Sequence, residues 1–228
     1  MGSVSNKPSA VLWDMDGTLV DTEPYWIAIE TELVESYGGT WTPEDALDLV
    51  GNALIDSAKT LQRAGVDMEP DAIVQLLTDR VVERLRVEGV PFRPGARELL
   101  ADLRAQGIPT ALVTMSLRRM ALDVVELIDF PAFDFVVAGD DVARPKPHPD
   151  PYLRAAELLG VDIADALVIE DSPTGIASGL ASGATTLGVP HIVALDGLGA
   201  HELWSTLQGR TAADLGGLHE RLGSEKAR

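Results

Sequence analysis

The sequence predicts an α/β fold, a doubly wound parallel sheet with a helical segment inserted after its first strand. Three observations carry that prediction. Short apolar runs recur at 10–13, 108–113, 135–138, 166–169 and 185–189. Helical stretches separate the later runs, which implies parallel pairing with both sheet faces covered. Between the first run and the rest, about residues 23–90 show helical periodicity and little strand signal, and the strand-helix alternation resumes only past Gly95.

Ala10, Val11, Leu12 and Trp13 make the first strand. In the insertion, Trp26, Ile29, Leu33 and Tyr37 recur at helical spacing, and Ile73, Leu76, Leu77, Val81 and Leu85 form a clearer apolar stripe. Gly38-Gly39, Gly65 and Pro70 divide the segment into about four helices. Pro91 to Gly95 is a stiff connector of the kind that marks a boundary. The expected organisation is therefore a core of residues 1–22 and 92–228 with a helical unit at 23–91. Beyond the connector, helices at about 95–106 and 151–159 end at Gly107 and Gly160, and another ends near Gly183. The tail from Gly223 to Arg228 is expected to fray.

At 228 residues the chain can bury one good core and a second small unit. No apolar stretch approaches the ~20 residues of a membrane span. The opening MGSVSNKP lacks the apolar region of a signal peptide, and Asn6 stands where a myristoylation signal requires Ser or Thr. A cytoplasmic location follows as the default expectation. Zero cysteines exclude disulfides, thiolate metal sites and cysteine nucleophiles. A formal net charge of −18 repels polyanions and argues against nucleic acid as a partner. Small phosphorylated metabolites remain compatible, because local donors and metal ions hold them. A monomer is expected, with an oligomer left open.

Residues 14–21 read DMDGTLVD directly after the first strand. Asp is depleted in strands and costly to bury unpaired, so two carboxylates there imply a positive partner. In an open parallel sheet, ligands bind beyond the carboxyl ends of the strands. Each strand end supplies polar groups: Asp14, Asp16 and Thr18, then Thr114 and Ser116, then Lys146 among prolines, then Glu170 and Asp171. Asp14, Asp16 and Asp171 are hard oxygen donors suited to Mg²⁺, which takes one or two protein carboxylates and fills its octahedron with water and phosphate. Lys146 supplies a point charge for phosphoryl oxygens, Thr114 a hydroxyl donor, and Gly17 a sharp turn that exposes backbone amides.

Asp14-Met15-Asp16-Gly17-Thr18-Leu19, Thr114, Lys146 and Glu170-Asp171 together resemble the four motifs of the haloacid dehalogenase superfamily, in order and spacing. The 23–90 insertion resembles the C1-type cap of its β-phosphoglucomutase and sugar-phosphatase branch. The resemblance implies a phosphatase with Asp14 as nucleophile and Asp16 as acid and base. It further implies Mg²⁺ held by Asp14, the main-chain carbonyl of Asp16 and Asp171, with Glu170 acting through water or from behind. Thr114, Ser116, Lys146 and Gly17 would bind the phosphoryl group. Dehalogenases lack the second acid, so Asp16 points to oxygen leaving groups.

Each motif also has a purely structural reading. Asp21 reads as a helix N-cap, and Asp171 taken alone would cap the helix at Pro173. Lys146 alone would be a surface lysine, and Thr114 a mere strand end. His148 and His201 lack partners at ligand spacing. Trp26 in DTEPYW resembles the 2-deoxyglucose-6-phosphate phosphatase type, whereas β-phosphoglucomutase carries histidine there; Leu54 stands where the mutase has a cap arginine. The expected substrate is a small phosphomonoester, a sugar or polyol phosphate. A phosphosugar mutase and a phosphoglycolate phosphatase-like hydrolase are the alternatives, and a regulatory module without catalysis is a third. Lys59, Arg63 and Arg84 are the insertion's candidates for a second phosphate clamp, or else merely its solvated face.

Overall fold

The structure, a computed structural model, describes residues 7–226, with side chains through residue 222. The MGSVSN start, on which the leader and Asn6 readings rest, lies outside the described residues, as do 227–228. Six parallel strands form one sheet in the order β3-β2-β1-β4-β5-β6. They are β1 (Ala10–Trp13), β2 (Thr110–Val113), β3 (Phe135–Val137), β4 (Ala166–Glu170), β5 (Thr185–Gly188) and β6 (Glu202–Leu203). β1 pairs with β2 on one side (Val11 with Thr110) and β4 on the other (Val11 with Leu167). It sits mid-sheet and is wholly buried, so its apolar run continues without alternation.

The insertion after β1 holds α1 (Glu23–Ser36), α2 (Pro43–Leu47), α3 (Leu54–Arg63) and α4 (Pro70–Glu88). Trp26, Ile29 and Leu33 of α1 are buried, as are Ile73, Leu77, Val81 and Leu85 of α4. Tyr37, expected on the α1 stripe, is instead exposed one residue past the helix, at its C-cap. The two crossings between sheet and insertion run side by side. Val20 bridges Phe92 in antiparallel fashion, Asp21 N donates to Pro91 O at 2.7 Å, and Arg93 N donates to Leu19 O at 2.9 Å. At Gly95 (φ +82°) a Cβ would fall 2.2 Å from the Leu207 carbonyl oxygen, so only glycine lets the connector lie against that loop.

The remaining helices are α5 (Ala96–Ala105), α6 (Arg118–Glu126), α7 (Asp150–Leu159), α8 (Pro173–Ser182) and α9 (Ala212–Lys226). α5, α7 and α8 match the predicted helices. α9 runs to Lys226, into the tail that was expected to fray from Gly223, and its Leu215, Leu218 and Leu222 are buried. No helix among the described residues is long and apolar enough to cross a membrane.

Candidate active site

The carboxyl ends of β1, β2 and β4 converge on one cavity. The chain leaving β1 keeps the ladder for one residue more, Asp14 N donating to Ile169 O at 3.1 Å, which aims the Asp14 carboxylate past the sheet edge. Lys146 reaches it from the loop before α7. Its ammonium donates to Asp14 Oδ1 at 2.6 Å, Glu170 Oε1 at 2.6 Å and Val113 O at 3.0 Å, so all three donors have acceptors. The side chain is buried with its ammonium 5.1 Å from the Tyr152 ring centroid. Tyr152 donates its own hydroxyl to Glu170 Oε1 at 2.6 Å. The other Glu170 oxygen accepts from Asp171 N at 3.1 Å and Ser172 Oγ at 3.2 Å. Glu170 is thus fully engaged, consistent with a place behind the first layer of ligands.

Asp171 accepts from Thr18 Oγ1 at 3.0 Å. A Cβ at Gly17 (φ +87°) would lie 2.1 Å from Asp171 Oδ2, so the turn after Asp16 can close against Asp171 only because residue 17 has no side chain. Gly175 does the same for α8, where a Cβ would stand 1.9 Å from Glu170 Cδ. Asp14, Glu170 and Asp171 each present one carboxylate oxygen, and the three lie within 4.8 Å of one another. Burial, Glu170 and Asp16 raise the Asp14 carboxyl to about 7 despite Lys146, and burial with Asp14 and Glu170 raises Asp171 well above its usual range. Burial disfavours the Lys146 ammonium, but Asp14 and Glu170 outweigh it and hold the group charged. One cation against three buried carboxylates leaves negative charge uncompensated. A donor set of hard oxygens in that state fits a divalent cation.

Asp16 belongs to a different network. Its Oδ1 accepts from Thr22 Oγ1 at 2.5 Å and Trp26 Nε1 at 3.2 Å, and its Oδ2 from Ser116 Oγ at 2.7 Å and Thr114 Oγ1 at 3.3 Å. Its side chain is absent from the three-carboxylate cluster, so any metal contact would fall to its carbonyl. The structure therefore separates the two acids: Asp14 faces Lys146 and the carboxylates, Asp16 faces hydroxyls and an indole. Thr114 and Ser116, expected to hold a phosphoryl group, sit on Asp16 across the same cavity, whose lining also includes Lys146.

The structural readings are also resolved. The N-cap of α8 is Ser172, whose hydroxyl accepts from Gly175 N at 3.0 Å, which frees Asp171 for the cluster. Asp21 is not a helix cap; Thr22 occupies that place, and Asp21 pairs with His191 Nε2 at 2.7 Å. His191 in turn meets Arg93, whose guanidinium also donates to Pro190 O at 3.2 Å. His148 and His201 are not among the cavity lining. Sequence reasoning missed Tyr152, Glu23 and Glu30. The two glutamates are buried and line the cavity with Trp26. Their positions, 23, 26 and 30, share one helical face, and two acids on the stripe that carries Trp26 were the available signal.

This arrangement defines an α/β protein with helices inserted after β1 and a cavity of carboxylates and one lysine at the carboxyl ends of its strands. The chain belongs to the haloacid dehalogenase-like hydrolases, whose family model matches residues 11–189. Hexitol phosphatase A of Escherichia coli is 35% identical over 185 residues, covering 78% of this chain and 81% of the relative. A bifunctional riboflavin kinase/FMN phosphatase of Arabidopsis thaliana is 31% identical over 194 residues, covering 83% of this chain but only 50% of that protein. Among solved structures, a mutant form of CbbY of Rhodobacter sphaeroides in complex with xylulose 1,5-bisphosphate superposes with a TM-score of 0.80 at 25% identity. The match covers 91% of this chain and 99% of that one.

Proposed function

We propose that the chain is a Mg²⁺-dependent phosphatase of a small phosphomonoester, a sugar or polyol phosphate, working through an aspartyl-phosphate intermediate. The observation that carries this reading is the pairing of Asp14 with Lys146 at 2.6 Å beside a separately held Asp16. Asp14 Oδ attacks phosphorus and the ester bond breaks, the departing oxygen taking a proton from Asp16. Asp16, now a base, accepts a proton from water as that water attacks the acyl phosphate, and inorganic phosphate leaves with Asp14 restored. Lys146 positions Asp14 and balances its charge; Thr114 and Ser116 supply hydroxyl donors to phosphoryl oxygens, and the backbone at Gly17 approaches them. Asp14, Asp171 and the Asp16 carbonyl would hold Mg²⁺, with Glu170 behind them, and the ion would screen charge on the phosphoryl oxygens.

The insertion, residues 23–91, acts as the cap over residues 1–22 and 92–228 and excludes water from the reacting groups. A hydrolase is favoured over a mutase by the fate of the candidate clamps. Lys59 pairs with Asp56, Arg63 donates to Thr60, and Arg84 lies near Glu32 and Glu88, and none of the three lines the cavity. A cytoplasmic monomer without nucleic-acid or membrane partners completes the reading, in keeping with the charge of −18.

Phosphate release across sugar, polyol and glycolate phosphates, with Mg²⁺ and after chelation, tests it. The expected result is metal-dependent release without isomerised phosphosugar. Absence of release from every ester, p-nitrophenyl phosphate included, would overturn the phosphatase reading, and release indifferent to chelation would remove the metal.

A further inference from the structure

The half of the cavity contributed by the insertion carries polar side chains that the proposed hydrolysis does not use. Glu23 is 6% exposed, Glu30 5% and Ser57 3%, and all three line the cavity. None of their side chains has a hydrogen-bond or ion-pair partner among the described residues. None of their polar atoms is among the fully enclosed unpartnered ones, so two carboxyls and a hydroxyl open to one space without protein partners, and burying them under an occupant that offered no hydrogen bonds would cost several kcal/mol. Burial pushes the Glu30 carboxyl up to about 8. Glu23, raised to about 8 by burial and by Asp16, Glu30 and Asp14, shares that situation nearer the sheet.

The charge inventory decides what the occupant is. Among the described residues lining the cavity, Lys146 is the one cation, and its three donors are committed to Asp14, Glu170 and Val113. A second anionic group on the substrate would therefore be desolvated beside two carboxyls with no positive partner. Hydroxyl groups satisfy carboxyl and serine oxygens at no such cost.

We propose that Glu30, Ser57 and Glu23 read the hydroxyls of an uncharged polyol or sugar portion of the substrate, and that this half of the cavity rejects substrates with a second anionic group. The inference rests on the phosphatase reading and sharpens it, since it favours hexitol and sugar phosphates over phosphoglycolate, bisphosphates and pyrophosphate.

The test compares kcat/KM for sorbitol 6-phosphate and 6-phosphogluconate, which differ at the far end by a carboxylate, with p-nitrophenyl phosphate as the reference ester. The wild type should favour sorbitol 6-phosphate by at least about tenfold. Glu30→Gln should compress that ratio severalfold, and Ser57→Ala should lower kcat/KM for sorbitol 6-phosphate through KM. Because the ratio is taken within one preparation, partial misfolding of a variant cancels. A wild-type ratio near one, or a ratio unmoved by Glu30→Gln, overturns the inference while hydrolysis of p-nitrophenyl phosphate leaves the phosphatase reading standing. Failure to hydrolyse any of the three takes both down.

Discussion

Lys146 Nζ stands 2.6 Å from Asp14 Oδ1 although 132 positions separate them, and both side chains are buried. A cation so enclosed is held by the carboxylates it neutralises. Replacing it with Met leaves Asp14 and Glu170 without their shared partner and should cost about 3 kcal/mol of stability, as for other broken buried pairs. Urea unfolding of metal-free protein measures this, and added Mg²⁺ should recover part of the loss.

Asp14→Asn separates chemistry from folding. The amide keeps the shape and an oxygen for Lys146 but cannot attack phosphorus. Turnover of p-nitrophenyl phosphate should fall by at least ~10⁴-fold, while the thermal midpoint stays within about 5 °C of wild type.

Thr22→Val removes the hydroxyl that holds Asp16 and preserves the buried volume. With Trp26 and Ser116 still in place, the acid remains near but loses its fixed direction. A fall of about tenfold in kcat with little change in KM is expected, read from steady-state kinetics on one hexitol phosphate.

Gly175→Ala drives a methyl group to 1.9 Å from Glu170 Cδ, so α8 or the carboxylate must move. Destabilisation of about 1–3 kcal/mol is expected, together with weaker Mg²⁺ binding by calorimetry.

Glu30 predicts the direction of pH dependence. Its carboxyl titrates near 8 when folded and near its ordinary 4.5 when unfolded. Between those values the folded state binds more protons, so this group's contribution is fully present below about 4.5 and is lost as pH rises through 8. Urea midpoints recorded across that window should fall less steeply with pH in Glu30→Gln than in the wild type.

Much of this molecule was legible before folding. Continuous apolar runs marked β1 to β5, and the polar residues ending them, from Asp14 to Asp171, meet at one cavity because a parallel sheet aligns its carboxyl ends. β6 was not legible, since two residues carry no periodicity and its existence depends on the register of Leu187 with Glu202. α9 hid behind Gly216-Gly217, which lower helix propensity, and its buried leucines form it through tertiary packing. Tyr152 looked like one more apolar helix residue, and only the meeting of α7 with β4 brings its hydroxyl to Glu170. Glu23 and Glu30 share a helical face with Trp26, but acids on a helix are more often solvated, and only the fold shows that this face lines the cavity.

The side-by-side crossings at Val20 and Phe92 are one line of contact between the insertion and the sheet, and Arg119 to Asp79 and Gln75, Arg86 to Asp123, and Thr174 to the Gly51 carbonyl are others. Asp14, Lys146 and Asp171 come from the sheet side, whereas the indole of Trp26 reaches Asp16 from the insertion. Of the four donors to Asp16, the Trp26 indole alone comes from the insertion, while Thr22, Thr114 and Ser116 come from the sheet side, so one oxygen of this carboxylate joins the two parts of the chain at the cavity.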